Sequence, residues 1–305
     1  MIARLWRCCA VALAAGCWQV TAAQASDVPY VPTPMNVVDA MLGLGGVGPD
    51  DYLIDLGSGD GRISIRAATR FGTRGMGVDL DDRLVRLALA DARKQGVADK
   101  VVFEARNLFS TDISGATVVT TYLLHSINLQ LRPRLFEQLK PGTRIVSHDF
   151  DFADWPPDQK ITIDVPDKAY GPPRSDIMLW VVPANFSGVW QWTLPGSAGY
   201  EARLEQKFQI PVGTVMAQGR PLKLGEARIK GDTVSFTVTG ETGVQRYSGR
   251  IDGNRISGEV VLRSGEHALP WRAERIKTGK INISSMRSGG DTAQHVAVGS
   301  SIKER

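Results

Sequence analysis

Cysteine is all but missing from this chain: three occur in 305 residues, as Cys8, Cys9 and Cys17. All lie before residue 26, so the remainder has no thiol, no disulfide and no cysteine metal site, and packing alone must stabilise it. Clustered charge is missing too. Lys and Arg number 36 against 32 Asp and Glu, for a net charge of +4, and no basic run marks a nucleic-acid surface. The apolar stretch from Cys8 to Ala15 falls well short of the ~20 residues that a membrane-spanning helix needs. His148-Asp149 has the look of a metal pair, but no third ligand is evident, so no metal is expected.

What is present begins with a targeting pattern. Arg4 and Arg7 precede the apolar stretch, and Ala23-Gln24-Ala25 gives a small-x-small cleavage site before Ser26. Residues 1–25 read as a secretory signal with a periplasmic or secreted destination. Its removal takes away two arginines and no acid, lowering the net charge to +2. Lipoprotein processing at Cys17 is an alternative, though the Leu such a site wants is absent. An uncleaved N-terminal membrane anchor is another. No span is expected in the mature chain.

Two blocks follow. Residues 27–183 alternate helix-like and strand-like segments, the rhythm of a parallel sheet. A helix carrying Val37, Val38, Met41 and Leu42 leads into strands at 52–56, 76–80, 101–104, 117–124 and 144–147. Helices over 63–71 and 83–95, and one bearing Leu131, Leu135 and Leu139, intervene. Arg132 and Arg134 beside Pro133 read as a solvated helix face. Two further runs, 160–165 and 177–182, form a closing hairpin, which predicts a Rossmann-like, doubly wound sheet of seven strands. Residues 187–276 differ: short alternating strands are broken by glycine turns every 8–12 residues, among them Gly196, Gly213, Gly219 and Gly231. That predicts a small antiparallel β-sandwich or barrel with Trp190, Trp192, Phe236, Tyr247 and Trp271 inside. Pro183–Ser187 is the expected linker, and 277–305 an expected disordered tail.

The segment Asp55-Leu56-Gly57-Ser58-Gly59-Asp60-Gly61-Arg62 says most about function. A glycine loop between a strand and a helix lets backbone approach a ligand closely. Asp79 ends the second strand, where such folds place a carboxylate for ribose hydroxyls. Reading from Gly57, Arg62 stands where a dinucleotide fingerprint has its third glycine. Two loop carboxylates, Asp55 and Asp60, would also repel a pyrophosphate. They suit a ligand that is cationic at that end and lacks phosphate, such as S-adenosylmethionine.

Pro29-Tyr30-Val31-Pro32-Thr33-Pro34, the DLGSGDGR segment, Tyr122-Leu123-Leu124 and Leu139–Arg144 followed by Val146-Ser147 together resemble a known family. It comprises the class I methyltransferases that modify lysine in the mitochondrial ADP/ATP carrier and the ATP synthase c-subunit, with bacterial relatives. The match covers residues 29–182. The resemblance implies S-adenosylmethionine as donor and a protein lysine as acceptor. It also implies that Asp55, Gly57, Ser58, Gly59 and Gly61 hold the methionine half, Asp79 with Leu80 the ribose region, and Asn107 the adenine. Tyr30 and Thr33 would close over the donor. An export signal and an added β block set this chain apart from the mitochondrial members.

Acceptor-side candidates lie beyond the strand ends, where open α/β sheets bind ligands: Tyr122, His125, Ser126 and Asn128 after strand four, His148, Asp149 and Asp151 after strand five. Tyr122, His125 and Asn128 are the catalytic candidates, each with a packing or hydrogen-bonded structural role as its alternative. A methyltransferase acting on a protein or small-molecule acceptor competes with two other functions. One is an exported ligand-binding module without catalysis, which a donor made in the cytosol would favour. The other is an interaction protein whose β block docks to an envelope partner.

Overall fold

The computed structural model describes residues 30–195, 199–241, 243–262 and 267–284. The expected signal at 1–25, Gly196 and residues 285–305 lie outside them. Among the described residues, no helix is long and apolar enough to cross a membrane.

The first half runs α1 (Met35–Leu44), β1 (Tyr52–Leu56), α2 (Arg62–Phe71), β2 (Arg74–Asp79), α3 (Asp82–Lys94), β3 (Val101–Ala105), β4 (Val118–Thr121), α4 (His125–Gln138), β5 (Arg144–His148), β6 (Gln159–Asp164) and β7 (Arg174–Val181). The seven strands form one sheet ordered β3-β2-β1-β4-β5-β7-β6. β1 to β5 pair in parallel, and β7 is antiparallel to both neighbours. Alternation along the strands splits the core by face. Leu53, Val118 and Val146 pack on Val38 and Met41 of α1 and Ala67 of α2. Ile54, Val119 and Ile145 pack on Leu131 and Leu135 of α4. Chain order reverses between β1 and β4, and this switch point opens a crevice at their carboxyl ends.

The strand-four region departs from expectation. β4 stops at Thr121 and α4 already begins at His125. His125 therefore opens a helix rather than sitting in a turn. Pro133 lies inside α4, where it offers no N–H to the carbonyl of Leu129. The solvated reading of Arg132 fails. Its side chain is buried, donating to the carbonyl of Phe152 at 3.0 Å and to Asp154 at 2.6 Å. Arg134 donates to the carbonyl of Thr111.

The second half is a meander of β8 (Gly188–Trp192), β9 (Tyr200–Lys207), β10 (Ile210–Ala217), β11 (Arg220–Lys230), β12 (Thr233–Gly240), β13 (Gly243–Asp252), β14 (Arg255–Val261) and β15 (Leu269–Thr278). Consecutive strands pair antiparallel, and β15 returns to β8, which closes an eight-stranded barrel. β16 (Ile281–Asn282) adds in parallel to β9. Residues 277–282, expected to belong to a tail, instead complete β15 and form β16. All five expected aromatics are buried inside the barrel, with Phe236 and Tyr247 opposite one another in register and stacked at 4.7 Å. The linker is not loose either: Ala184 bonds to Gly231, Phe186 to Gln206, and both are buried in the barrel core.

Candidate functional site

β1 delivers Asp55 to the crevice and the glycine loop turns the chain back above it. Gly57 has φ 79°, and a Cβ there would fall 2.7 Å from Leu123. Gly61, at φ 77°, would place one 2.6 Å from the Phe103 ring. Side chains are thereby excluded at these two positions, where the chain can turn only as glycine. Asp79, at the end of β2, accepts from the N–H of Gly59 at 2.8 Å and of Asp81 at 2.9 Å. One carboxylate therefore fixes the glycine loop and the start of α3 at once.

Asp55 is 1% exposed. One oxygen accepts from the Thr120 hydroxyl at 2.7 Å and the other has no protein partner. Burial, reinforced by the nearby Asp79 and Asp60 charges, pushes its pKa up to about 7, against the Thr120 bond that lowers it. Ser58 Oγ and Thr121 Oγ1 are likewise buried without a protein partner. Three orphaned polar atoms beside a Cβ-free loop match a ligand that brings its own donors. Asp60 differs from the expectation: Arg62 neutralises it, with Nε 2.9 Å from Oδ1, and Arg62 also donates to the carbonyl of Thr33 at 2.8 Å. The crevice carboxyl groups that meet no cationic side chain among the described residues are Asp55 and Asp79.

Asn107 is exposed beyond β3, and its side-chain oxygen accepts from the Phe109 N–H at 2.8 Å, capping a short turn. The side-chain oxygen, the group able to accept from an adenine amine, is thus already engaged, and the NH₂ group remains on offer. Leu80 is exposed beside Asp79, and Tyr30, the first described residue, is also exposed. Thr33 is buried, with its hydroxyl 3.4 Å from His148 Nδ1.

On the acceptor side, Tyr122 is half-buried and stacks on His148, centroids 3.9 Å apart. His148 is fully buried, its Nε2 facing Ser175 Oγ at 2.9 Å and Asp149 Oδ2 at 3.3 Å. Burial lowers its pKa to about 4, with Asp149 opposing the shift and Lys168 adding to it. The imidazole is therefore neutral near pH 7. Lys168 donates to Asp149 Oδ2 at 2.6 Å, and Asp149 takes a left-handed φ of 60°. Tyr122 is raised by burial and then by the Asp149 charge, so it stays a phenol. His125 pairs with Asp151 at 2.9 Å at the exposed rim. Asn128 is wholly buried and donates to the carbonyls of Phe150 and Asp151. Its amide nitrogen thus holds the loop after β5, while its Oδ1 is buried without a protein partner.

The structure thus unites Asp55, the glycine loop and Asp79 at one end of the crevice. Tyr122 and His148 lie beyond the adjoining strands, with His125 and Asp151 at the rim. Sequence reasoning missed Thr120, Lys168 and Ser175. Thr120 reads only as a β-branched strand residue. Lys168 comes from the β6–β7 connection and Ser175 from β7 itself, and they meet Asp149 and His148 solely through the fold. Among the described residues, no group of three metal-ligating side chains occurs.

Comparison with known proteins adds to this geometry. Residues 55–159 match the ANTKMT methyltransferase domain. A protein-lysine N-methyltransferase of Saccharolobus islandicus is 47% identical over 138 residues, covering 45% of this chain and 86% of that protein. The adenine nucleotide translocase lysine N-methyltransferase of Mus musculus is 34% identical over 132 residues, 43% of this chain. This chain spans 57% of the length of that mouse relative. A crystal structure of an RNA methyltransferase from Salinibacter ruber in complex with S-adenosyl-L-homocysteine is 52% identical with a TM-score of 0.45, covering 50% of this chain and 93% of that one.

Proposed function

This chain belongs to the ANTKMT family of S-adenosylmethionine-dependent methyltransferases, and from that membership we propose that it methylates the side-chain amine of lysine in a protein. The residues fit the donor. Asp55 and Asp79 supply negative charge where a phosphate-free, cationic nucleoside needs it, and the orphaned Asp55 oxygen, Ser58 and Thr121 offer unused hydrogen-bonding capacity. When bound, the donor supplies a methyl group already activated by a sulfonium.

The observation that carries the acceptor reading is the pairing of Tyr122 with a neutral, buried His148. The aromatic face of Tyr122, with Asp151 at the rim, attracts a lysine ammonium, whereas Asp149 is already paired with Lys168. The acceptor must lose a proton before it can attack, and a half-buried wall without cationic imidazole favours the neutral amine. His148 keeps Tyr122 in place through the stack, while Thr33 and Ser175 hold the imidazole. Asn128 and Arg132 fix the loop that carries Asp151. Orientation of amine and donor then supplies most of the acceleration, as in other displacements that need no covalent intermediate.

The test is transfer of labelled methyl from S-adenosylmethionine by residues 26–305, with proteins, RNA and small molecules as separate acceptor pools. Label on protein lysine, located by mass spectrometry, supports the reading. Label confined to RNA or small molecules, or none despite tight donor binding, overturns it. We also propose that the chain works outside the cytosol, since residues 1–25 have the charge and cleavage pattern of an export signal. Fractionation that finds the intact, unprocessed chain in the cytosol would refute that.

A further inference from the structure

We propose that the turn joining β9 to β10, with Phe208 at its tip, is a positioning element for the acceptor side of the catalytic half. Lys207 pairs with Ile210 in register, so Phe208 and Gln209 form a two-residue turn. Phe208 has φ 53°. Turns of this kind put glycine or asparagine at such positions, and a bulky side chain there is strained. The strain is retained because the side chain has a place to go. Phe208 is 1% exposed and lies in the core of the other half, 5.8 Å from the stacked Trp155 ring and 6.0 Å from Phe136. The guanidinium of Arg132 lies 5.1 Å from its centroid.

Its neighbours grip the same region. Lys207 pairs with Asp154 at 2.9 Å. Gln209 accepts from the Trp155 indole N–H at 2.8 Å and donates to the carbonyl of Pro156 at 2.6 Å. Three consecutive barrel residues therefore fasten Asp154, Trp155 and Pro156. These continue the segment that begins at Asp149 and Asp151 beside Tyr122. That segment has left-handed residues at Asp149 and Ala153 and, apart from a bridge between Phe152 and Trp155, no regular pairing. It needs outside support. α4 provides it on one side through Asn128 and Arg132, and the barrel turn provides it on the other. Arg132 joins the two braces, because it contacts Phe208, Asp154 and Phe152 together. The barrel's contribution to the enzyme is thus to hold the acceptor loop, not the donor crevice.

Only the kinetic part of the test rests on the lysine reading. Phe208→Gly keeps the residue type the turn geometry prefers, and Lys207→Ala/Gln209→Ala removes the flanking grips while leaving the ring. Both are made in residues 26–305 and compared with wild type in three measurements. Hydrogen exchange across 149–156, relative to 55–61, is expected to rise about tenfold in Phe208→Gly. Affinity for S-adenosylhomocysteine is expected to stay within about twofold, while KM for a synthetic lysine-alanine peptide rises about tenfold with kcat less affected. Exchange at 149–156 that remains at the wild-type level in both variants overturns the proposal. So does exchange that rises equally at 55–61, or donor affinity that falls in parallel with KM, since those mark general loosening. If wild type leaves the peptide unmodified, the lysine reading is judged by the labelled protein pool alone, while the exchange and donor-affinity measurements still decide this one.

Discussion

Asp55 is both the anchor of the donor crevice and a liability to the empty fold. Its pKa in the folded state, about 7, lies above the ordinary 3.8. The folded protein therefore holds a proton that the unfolded chain has released. The stabilising contribution of that proton is complete below pH 3.8 and has gone once the pH passes about 7. A cationic ligand reverses the preference by favouring the carboxylate. Donor affinity should accordingly strengthen as pH rises through about 7, and Asp55→Asn should flatten that dependence in calorimetric titrations. His148 has the opposite sense. Its folded pKa of about 4 lies below 6.5, so acidification through that window destabilises the protein. The gap in melting temperature between wild type and His148→Gln should change steadily across the same window. A constant gap would show that the imidazole is not buried and neutral. Asp79→Ala should weaken donor binding by about 1–3 kcal/mol, since it removes the proposed ribose partner and the bonds that shape the Gly59 turn.

At the scale of elements, α4 shows what pattern reading reaches and where it stops. Leu131, Leu135 and the strand–loop–helix succession around the glycine loop were legible because burial imposes a period on the sequence. The start of α4 was not. Leu123 and Leu124 continue the apolar, β-branched run of β4, and nothing local distinguishes a strand residue from the turn before a helix. Arg132 was misread for a related reason: an arginine beside proline looks solvated until its partners, twenty residues away, are brought under it. The glycine loop and Asp79 could be read because their spacing is itself the geometry. Thr120, Lys168 and Ser175 carry no such spacing. Arg132→Ala should destabilise the protein by about 3 kcal/mol, leaving Asp154 half-satisfied and the Phe152 carbonyl bare. Urea unfolding would measure it, and a loss within a few tenths of a kcal/mol would place the guanidinium in water after all.

At the scale of the whole molecule, two halves with different periods in their sequences prove interdependent. The composition shift near residue 187 marks a real change of architecture, yet Pro183–Ser187 is packed rather than slack. Phe208 also belongs to the core of the half that precedes it in the chain. Excision at Val182 should leave a chain less stable than the intact protein, because Trp155 loses both its stacked ring and its indole acceptor. Removing a buried Phe ring alone is worth about 3–5 kcal/mol in comparable cores. Thermal unfolding of residues 26–182 against 26–305 tests this, and equal midpoints would show the halves to be separable.

The borrowed ring also sets a constraint on any chain that shares this catalytic architecture. Where no barrel follows, the hollow over Trp155 and Phe136 has to be plugged by a local residue, or those two rings have to shrink. Grafting this half onto another tail would therefore transplant an open socket along with the enzyme.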